Sequence, residues 1–140
     1  MIQQFSGLLS IRTHGRGLTD VTRQISSWIA EQGLFEGVLT VFIQHSSASL
    51  IIQENADPDV QLDLMDFFSK LAPDDPALYR HISEGSDDMP SHIRASLTDV
   101  SLTIPVNEGR MCLGTWQGIY VFEHRTSPHH RRLALNFMGE

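Results

Sequence analysis

Apolar and polar positions change period several times along the chain, and each change marks an element. Residues 2–13 mix apolar and polar positions and carry β-branched residues toward their end, which predicts a strand. Gly15 and Gly17 follow as a turn, and Thr19 is placed to cap what comes next. Val21, Ile25, Trp28 and Ile29 recur at helical spacing, so residues 20–32 predict an amphipathic helix that Gly33 ends. Residues 37–44 and 48–54 read as two buried strands. His45-Ser46-Ser47 joins them, as a tight connection or an irregular crossing. Asp57 caps and Pro58 opens a second helix, with Val60, Leu64, Phe67, Phe68 and Leu71 as its apolar stripe.

Pro73 and Pro76 mark residues 72–80 as a loop or short helical turn. A polar stretch from His81 to Asp88 leads into a short helix, about residues 89–97, with Met89, Ile93 and Leu97 on one face. Residues 99–106 alternate as a half-buried strand, and Asn107-Glu108-Gly109 is a turn signal. Residues 110–114, 118–124 and 131–138 supply three more strands, and Cys112 is expected in the core. Helices interspersed with hairpins predict an α+β class rather than a doubly wound sheet. The expected architecture has a mixed, largely antiparallel sheet, two longer helices and one short one.

Composition narrows the class. A chain of 140 residues is one domain by length, so residues 1–140 are read as a single unit. Hydrophobic residues at 41% and charged ones at 19% are globular values. The net charge of −7 argues against a nucleic-acid-binding face. One cysteine excludes an intrachain disulfide and suits a reducing compartment. The first residues do not read as a signal peptide, and no apolar run reaches the roughly 20 residues of a membrane-spanning helix. A cytoplasmic location away from membranes is the expectation.

Seven histidines are many for such a chain. His45 ends a strand, where a turn histidine bonded to backbone is the ordinary alternative. His81 and His92 bracket Glu84-Gly85-Ser86-Asp87-Asp88. Imidazoles with an open position suit zinc, although a gap of eleven residues is not a short ligand spacing. The alternative is an acidic loop flanked by solvated histidines. Asp88 and His92, four apart, share a helix face, where Asp88 can orient the ring or simply favour the helix N-terminus. Glu54 and Asn55 follow a strand as a candidate base or ligand and a candidate donor; an ordinary capped turn is the competing view. In Gly114-Thr115-Trp116-Gln117-Gly118, Trp116 offers a face for a heteroaromatic ring and Gln117 a hydrogen-bonding edge. A hairpin turn with a buried tryptophan is the alternative there. Arg125 and Arg131 are candidate phosphate clamps, against a solvated hairpin. No nucleophile elbow, P-loop or dinucleotide fingerprint occurs.

These pieces stand in a recognisable order. His45-Ser46-Ser47-Ala48-Ser49-Leu50, Glu54-Asn55-Ala56-Asp57-Pro58-Asp59-Val60, the block from Tyr79 through Ile93, and Leu113-Gly114-Thr115-Trp116-Gln117-Gly118-Ile119 resemble the YjbQ family over nearly the whole chain. Ser46 stands where many members carry threonine and keeps the hydroxyl; His124 and Arg125 vary among members. The resemblance implies an α+β subunit assembling as a homotrimer. It also implies secondary thiamine-phosphate synthase activity, joining an aminopyrimidine diphosphate to a thiazole phosphate with release of pyrophosphate. It selects His45, His81 and His92 as the metal cluster. Glu54, Trp116 and Gln117 join His45 and His92 as catalytic candidates, and Ser46, Asn55, Thr115 and Arg125 are the cofactor-binding candidates. A divalent metal is expected, with zinc ahead of magnesium because imidazole suits it better. Two further readings belong to other classes: a zinc-type hydrolase of a small phosphate or amide, and a non-enzymatic metal- or ligand-binding trimer.

Overall fold

A computed structural model of the chain describes residues 1–33 and 35–140. The strands are β1 (Gln3–Arg12), β2 (Gly17–Asp20), β3 (Gly37–Ile43), β4 (Ala48–Glu54), β5 (Ser101–Asn107), β6 (Arg110–Met111), β7 (Gln117–Glu123) and β8 (His130–Gly139). The helices are α1 (Thr22–Gln32), α2 (Pro58–Leu71) and α3 (Asp88–Leu97), with a 3₁₀ turn at Pro76–Leu78. The α+β expectation holds. The strands divide between two sheets, a five-stranded one ordered β1-β8-β3-β5-β6 and a three-stranded one ordered β2-β7-β4, and every strand pair is antiparallel.

Period-two alternation decides which faces meet. Ile11, Leu39, Val41, Leu102, Ile104, Leu133, Leu135 and Phe137 point from the large sheet into one core. Ala48, Leu50, Ile119 and Val121 meet them from the small sheet, and Ile25 and Ile29 of α1 complete it. The other face of the small sheet carries Ser49, Phe122 and His124, all buried. Phe68 of α2 packs edge-on against Phe122 there, with ring centroids 5.4 Å apart. Among the described residues no helix covers the remaining face of the large sheet, which exposes Leu8, Val38, Phe42 and Met138.

Some local expectations change. Thr19 does not cap α1; it lies in β2, paired with Val121, and the Asp20 carboxylate accepts the Thr22 N–H at 2.9 Å instead. The predicted strand at 110–114 stops at Met111, which leaves Cys112 exposed rather than in the core. Asp57 does cap α2, accepting the Asp59 N–H at 2.9 Å, with Pro58 at the first helical position. No helix among the described residues is long and apolar enough to cross a membrane.

Candidate functional site

The His45-Ser46-Ser47 link leaves β3 in the large sheet and enters β4 in the small one, an irregular crossing rather than a hairpin. Its two sides face different groups. The Ser46 carbonyl accepts the Nδ1–H of His92 from α3 at 2.9 Å, while His45 Nε2 accepts the Arg132 N–H of β8 at 2.9 Å.

The first turn of α3 gathers a polar cluster. Asp88, 2% exposed, places Oδ2 2.6 Å from His81 Nε2 and 3.0 Å from His92 Nε2. The candidate ligand atoms of His81, Asp88 and His92 all lie within 4.8 Å of one another. Asp88 Oδ1 accepts from Arg125 Nη1 at 2.7 Å. Arg125 Nε donates to Asp87 at 3.0 Å, and its Nη2 donates to the Glu84 carbonyl at 2.9 Å. Asp87 also takes the Thr126 N–H at 2.9 Å. Burial works against ionising Asp87, but the Thr126 and Arg125 hydrogen bonds outweigh it and hold the carboxyl down at about 2. Asp88 is likewise held below the ordinary carboxylate range, by its His81 hydrogen bond and the His92 and Arg125 charges acting against burial.

The chemistry of His92 is constrained by these partners. A carbonyl oxygen accepts only, so the Nδ1 facing Ser46 carries a proton. In a neutral ring the lone pair is then on Nε2, aimed at a carboxylate oxygen that also only accepts. Two acceptors at 3.0 Å need a cation between them, either a second proton or a metal ion. Two imidazoles and a carboxylate whose ligand atoms converge within 4.8 Å are donor types that suit a transition ion. The residues therefore fit a divalent ion.

A second polar cluster closes the core between the sheets. Glu123 at the end of β7 accepts from Arg131 Nε at 2.8 Å, from Arg131 Nη2, and from the Thr13 hydroxyl at 2.6 Å. Arg131 Nη1 stands 3.4 Å from His45 Nδ1. Burial, then the Arg131 and Arg132 charges, lowers the His45 pKa.

Two parts of the expected site are corrected. His45 is not gathered with His81 and His92; its ring nitrogens are turned to Arg131 and Arg132, and the carboxylate of Asp88 takes the third position. Arg125 is not free to bind a phosphate, because Asp87, Asp88 and the Glu84 carbonyl occupy all three of its nitrogens. The Trp116 group lies elsewhere again. Glu54 pairs with Gln117 at one end of the β4–β7 ladder and Ala48 with Glu123 at the other, about 20 Å away at ~3.4 Å per residue. At the Glu54 end, Asn55 N–H donates to the Trp116 carbonyl at 2.9 Å and Gln117 Oε1 accepts the Gly114 N–H at 2.7 Å. Glu54 accepts the Asp57 N–H at 3.2 Å, Thr115 is exposed, and Trp116 is 62% exposed rather than buried. Within one chain the indole and the histidines are separate. Of Ser46, the backbone carbonyl joins the site.

Sequence reasoning ranked Asp88 as a helper of His92 and passed over Asp87 and Glu123. The four-residue spacing of Asp88 and His92 was the one available signal; the bonds across 37 and 38 residues from Arg125 leave no local pattern.

A UPF0047 protein YjbQ-like family model matches residues 8–140. The chain belongs to the YjbQ family. A YjbQ-family relative from Synechocystis sp., a UPF0047 protein, is 49% identical over 99% of this chain and 94% of its own length. UPF0047 protein YjbQ of Escherichia coli O157:H7 is 42% identical over 94% of this chain and 96% of its own. A solved yjbq/upf0047 family protein from Clostridium acetobutylicum superposes with a TM-score of 0.83 at 33% identity, over 93% of this chain and 98% of its own. A YbjQ-like protein of unknown function from Sulfolobus solfataricus shares the fold at a TM-score of 0.89 with 20% identity, both chains being covered in full.

Proposed function

We propose that the chain is a metal-dependent enzyme acting on a small molecule, with His81, Asp88 and His92 as ligands. One observation carries this reading. Both nitrogens of His92 face obligate acceptors, at 2.9 and 3.0 Å, and His81 converges on the same carboxylate oxygen. Two imidazoles and one carboxylate suit zinc, and the same donor set with open positions is used for ferrous iron; magnesium prefers all-oxygen surroundings. When bound, such an ion lowers the pKa of a coordinated water for hydrolysis of a phosphate or amide. The chain's own residues supply the framework. Ser46 fixes the His92 tautomer, Arg125 holds Asp88 in place, and the low pKa of Asp88 keeps it ionised.

Metal analysis of protein purified without chelator or added metal tests this. About one zinc or iron per chain is expected in the wild type and none in His92→Ala. Metal-free wild-type protein that also takes up no zinc on titration sinks the reading.

A second reading, the secondary thiamine-phosphate synthase, is favoured by one feature. Trp116 is exposed beside Gln117 and Asn55, as a stacking platform with hydrogen-bonding edges requires. Assembly of a homotrimer is part of it, since a neighbouring subunit's indole would have to reach the histidines. The bare apolar face of the large sheet supports assembly. Thiamine phosphate formation from the two precursors, lost in both His92→Ala and Trp116→Ala, is the expected result. Unchanged formation in both variants would make that reaction incidental to the site.

A further inference from the structure

We infer that His45 and Arg131 form a subsite for an oxyanion, the phosphoryl or carboxylate group of the small molecule acted on beside His81, Asp88 and His92. The location rests on the metal reading, but the subsite's donors do not. Arg131 is 4% exposed, and two of its three nitrogens are bound to Glu123. Its Nη1 meets only His45 Nδ1, at 3.4 Å. The His45 ring is set by its other nitrogen: Nε2 accepts the Arg132 N–H at 2.9 Å, so in the neutral ring the proton is on Nδ1. Two N–H donors thus face one another without an acceptor between them. An oxygen seated against both takes a hydrogen bond from each, one of them from a buried charge.

The surroundings favour a negative guest. Arg131, Arg132 and His129 all act on His45, and Glu123 is the carboxylate among them. Both Glu123 oxygens are already engaged, by Thr13, Arg131 and the Arg125 N–H. His129, 3.7 Å from Glu123, also lines a recess of about 240 Å³ with Arg12, Pro128 and His130, which His45 and Arg131 do not line. Arg12 stands opposite His130 across the β1–β8 ladder and has no carboxylate within 4 Å among the described residues. On a chain of net charge −7, Arg12 and Arg132 at this end of β8 both lack a carboxylate within 4 Å among the described residues. Ser46 separates the subsite from the metal ligands by a single residue, its carbonyl facing His92 while His45 faces the donors.

The test titrates inorganic phosphate, and separately acetate, into protein with ¹⁵N-labelled histidine, at constant ionic strength with chloride as control. A saturating shift of the His45 ring signals by one or both oxyanions is expected, and which of them binds tighter assigns the phosphoryl or carboxylate class. His45→Gln keeps the ε acceptor and removes the δ donor, so affinity measured by calorimetry falls about tenfold or more, whereas His45→Asn keeps a donor at the δ position and most of the affinity. The His92→Ala protein separates the two proposals. Phosphate binding retained there supports the subsite whatever becomes of the metal. No His45 shift in the wild type, or a shift that disappears in His92→Ala, overturns it.

Discussion

At the scale of single residues, Arg125 and His124 show how neighbouring positions do different work. Arg125 joins the 124–130 loop to the start of α3 through Asp87 and Asp88. Replacing it by Met strands a carboxylate that is 2% exposed, although His81 and His92 still bond it. Breaking one partner of such a pair costs about 3 kcal/mol, read as a lower urea midpoint, and loosens zinc binding by ~10–100-fold. An unchanged midpoint would mean that the histidines alone hold Asp88. His124 is fully buried, with Nε2 2.8 Å from the Ser49 hydroxyl. Burial, then the Arg94, Arg16 and Arg131 charges, pushes it from 6.5 down to about 3. Below pH 6.5 the unfolded chain binds a proton that the folded chain refuses, so stability rises with pH across this window. It is lost at about 1.4 kcal/mol per pH unit as pH falls toward 3. Urea melts from pH 7 to 4 should show that slope and His124→Gln should flatten it; parallel slopes would contradict the assignment. None of this was legible from sequence. His124 read as one histidine in a strand end, because the charges that depress it come from residues 7, 30 and 108 positions away.

At the scale of elements, local pattern was a good guide wherever the cause was local. The Asp57-Pro58 start of α2 and the alternation of β5 are set by neighbours in sequence, and both were legible. Strand β2 was not, because four residues beginning with Gly17 become a strand only by pairing with β7, over a hundred positions later. The shortness of β6 has the same origin: the chain after Met111 turns toward the Trp116 loop instead of extending the sheet. The β3–β8 pairing carries a constraint no periodicity reveals. A Cβ on Gly37 would meet the Met138 carbonyl and the Gly139 Cα, both backbone and neither able to swing aside. Gly37→Ala is therefore expected to cost about 2 kcal/mol by forcing the strands apart, seen as a lower thermal midpoint. An alanine variant as stable as wild type would show that the ladder yields there at no cost.

At the scale of the whole molecule, the fold separates the parts that sequence resemblance grouped. The family motifs name the histidines and the Gly114–Gly118 turn together, yet in one chain the turn lies at the Glu54–Gln117 end of the β4–β7 ladder, while His45 and Arg125 flank its Ala48–Glu123 end, about 20 Å along the strands. A side chain reaches only a fraction of that span, so the exposed Trp116 serves its own chain's histidines in no simple way. If subunits assemble so that one indole covers the next subunit's His81, Asp88 and His92, proximity to a bound ion should depend on assembly. The second tryptophan, Trp28, packs against Gly7, and its replacement by Phe leaves Trp116 as the lone reporter. Loading that variant with copper(II), which quenches indole emission at short range, should dim Trp116 in concentrated protein. Emission should recover on dilution below the assembly midpoint, and His92→Ala, which cannot hold the ion, should stay bright throughout. Quenching that persists unchanged in the isolated subunit would place the indole near its own histidines and contradict the geometry. Quenching absent at every concentration would leave Trp116 with a role unconnected to His81, Asp88 and His92.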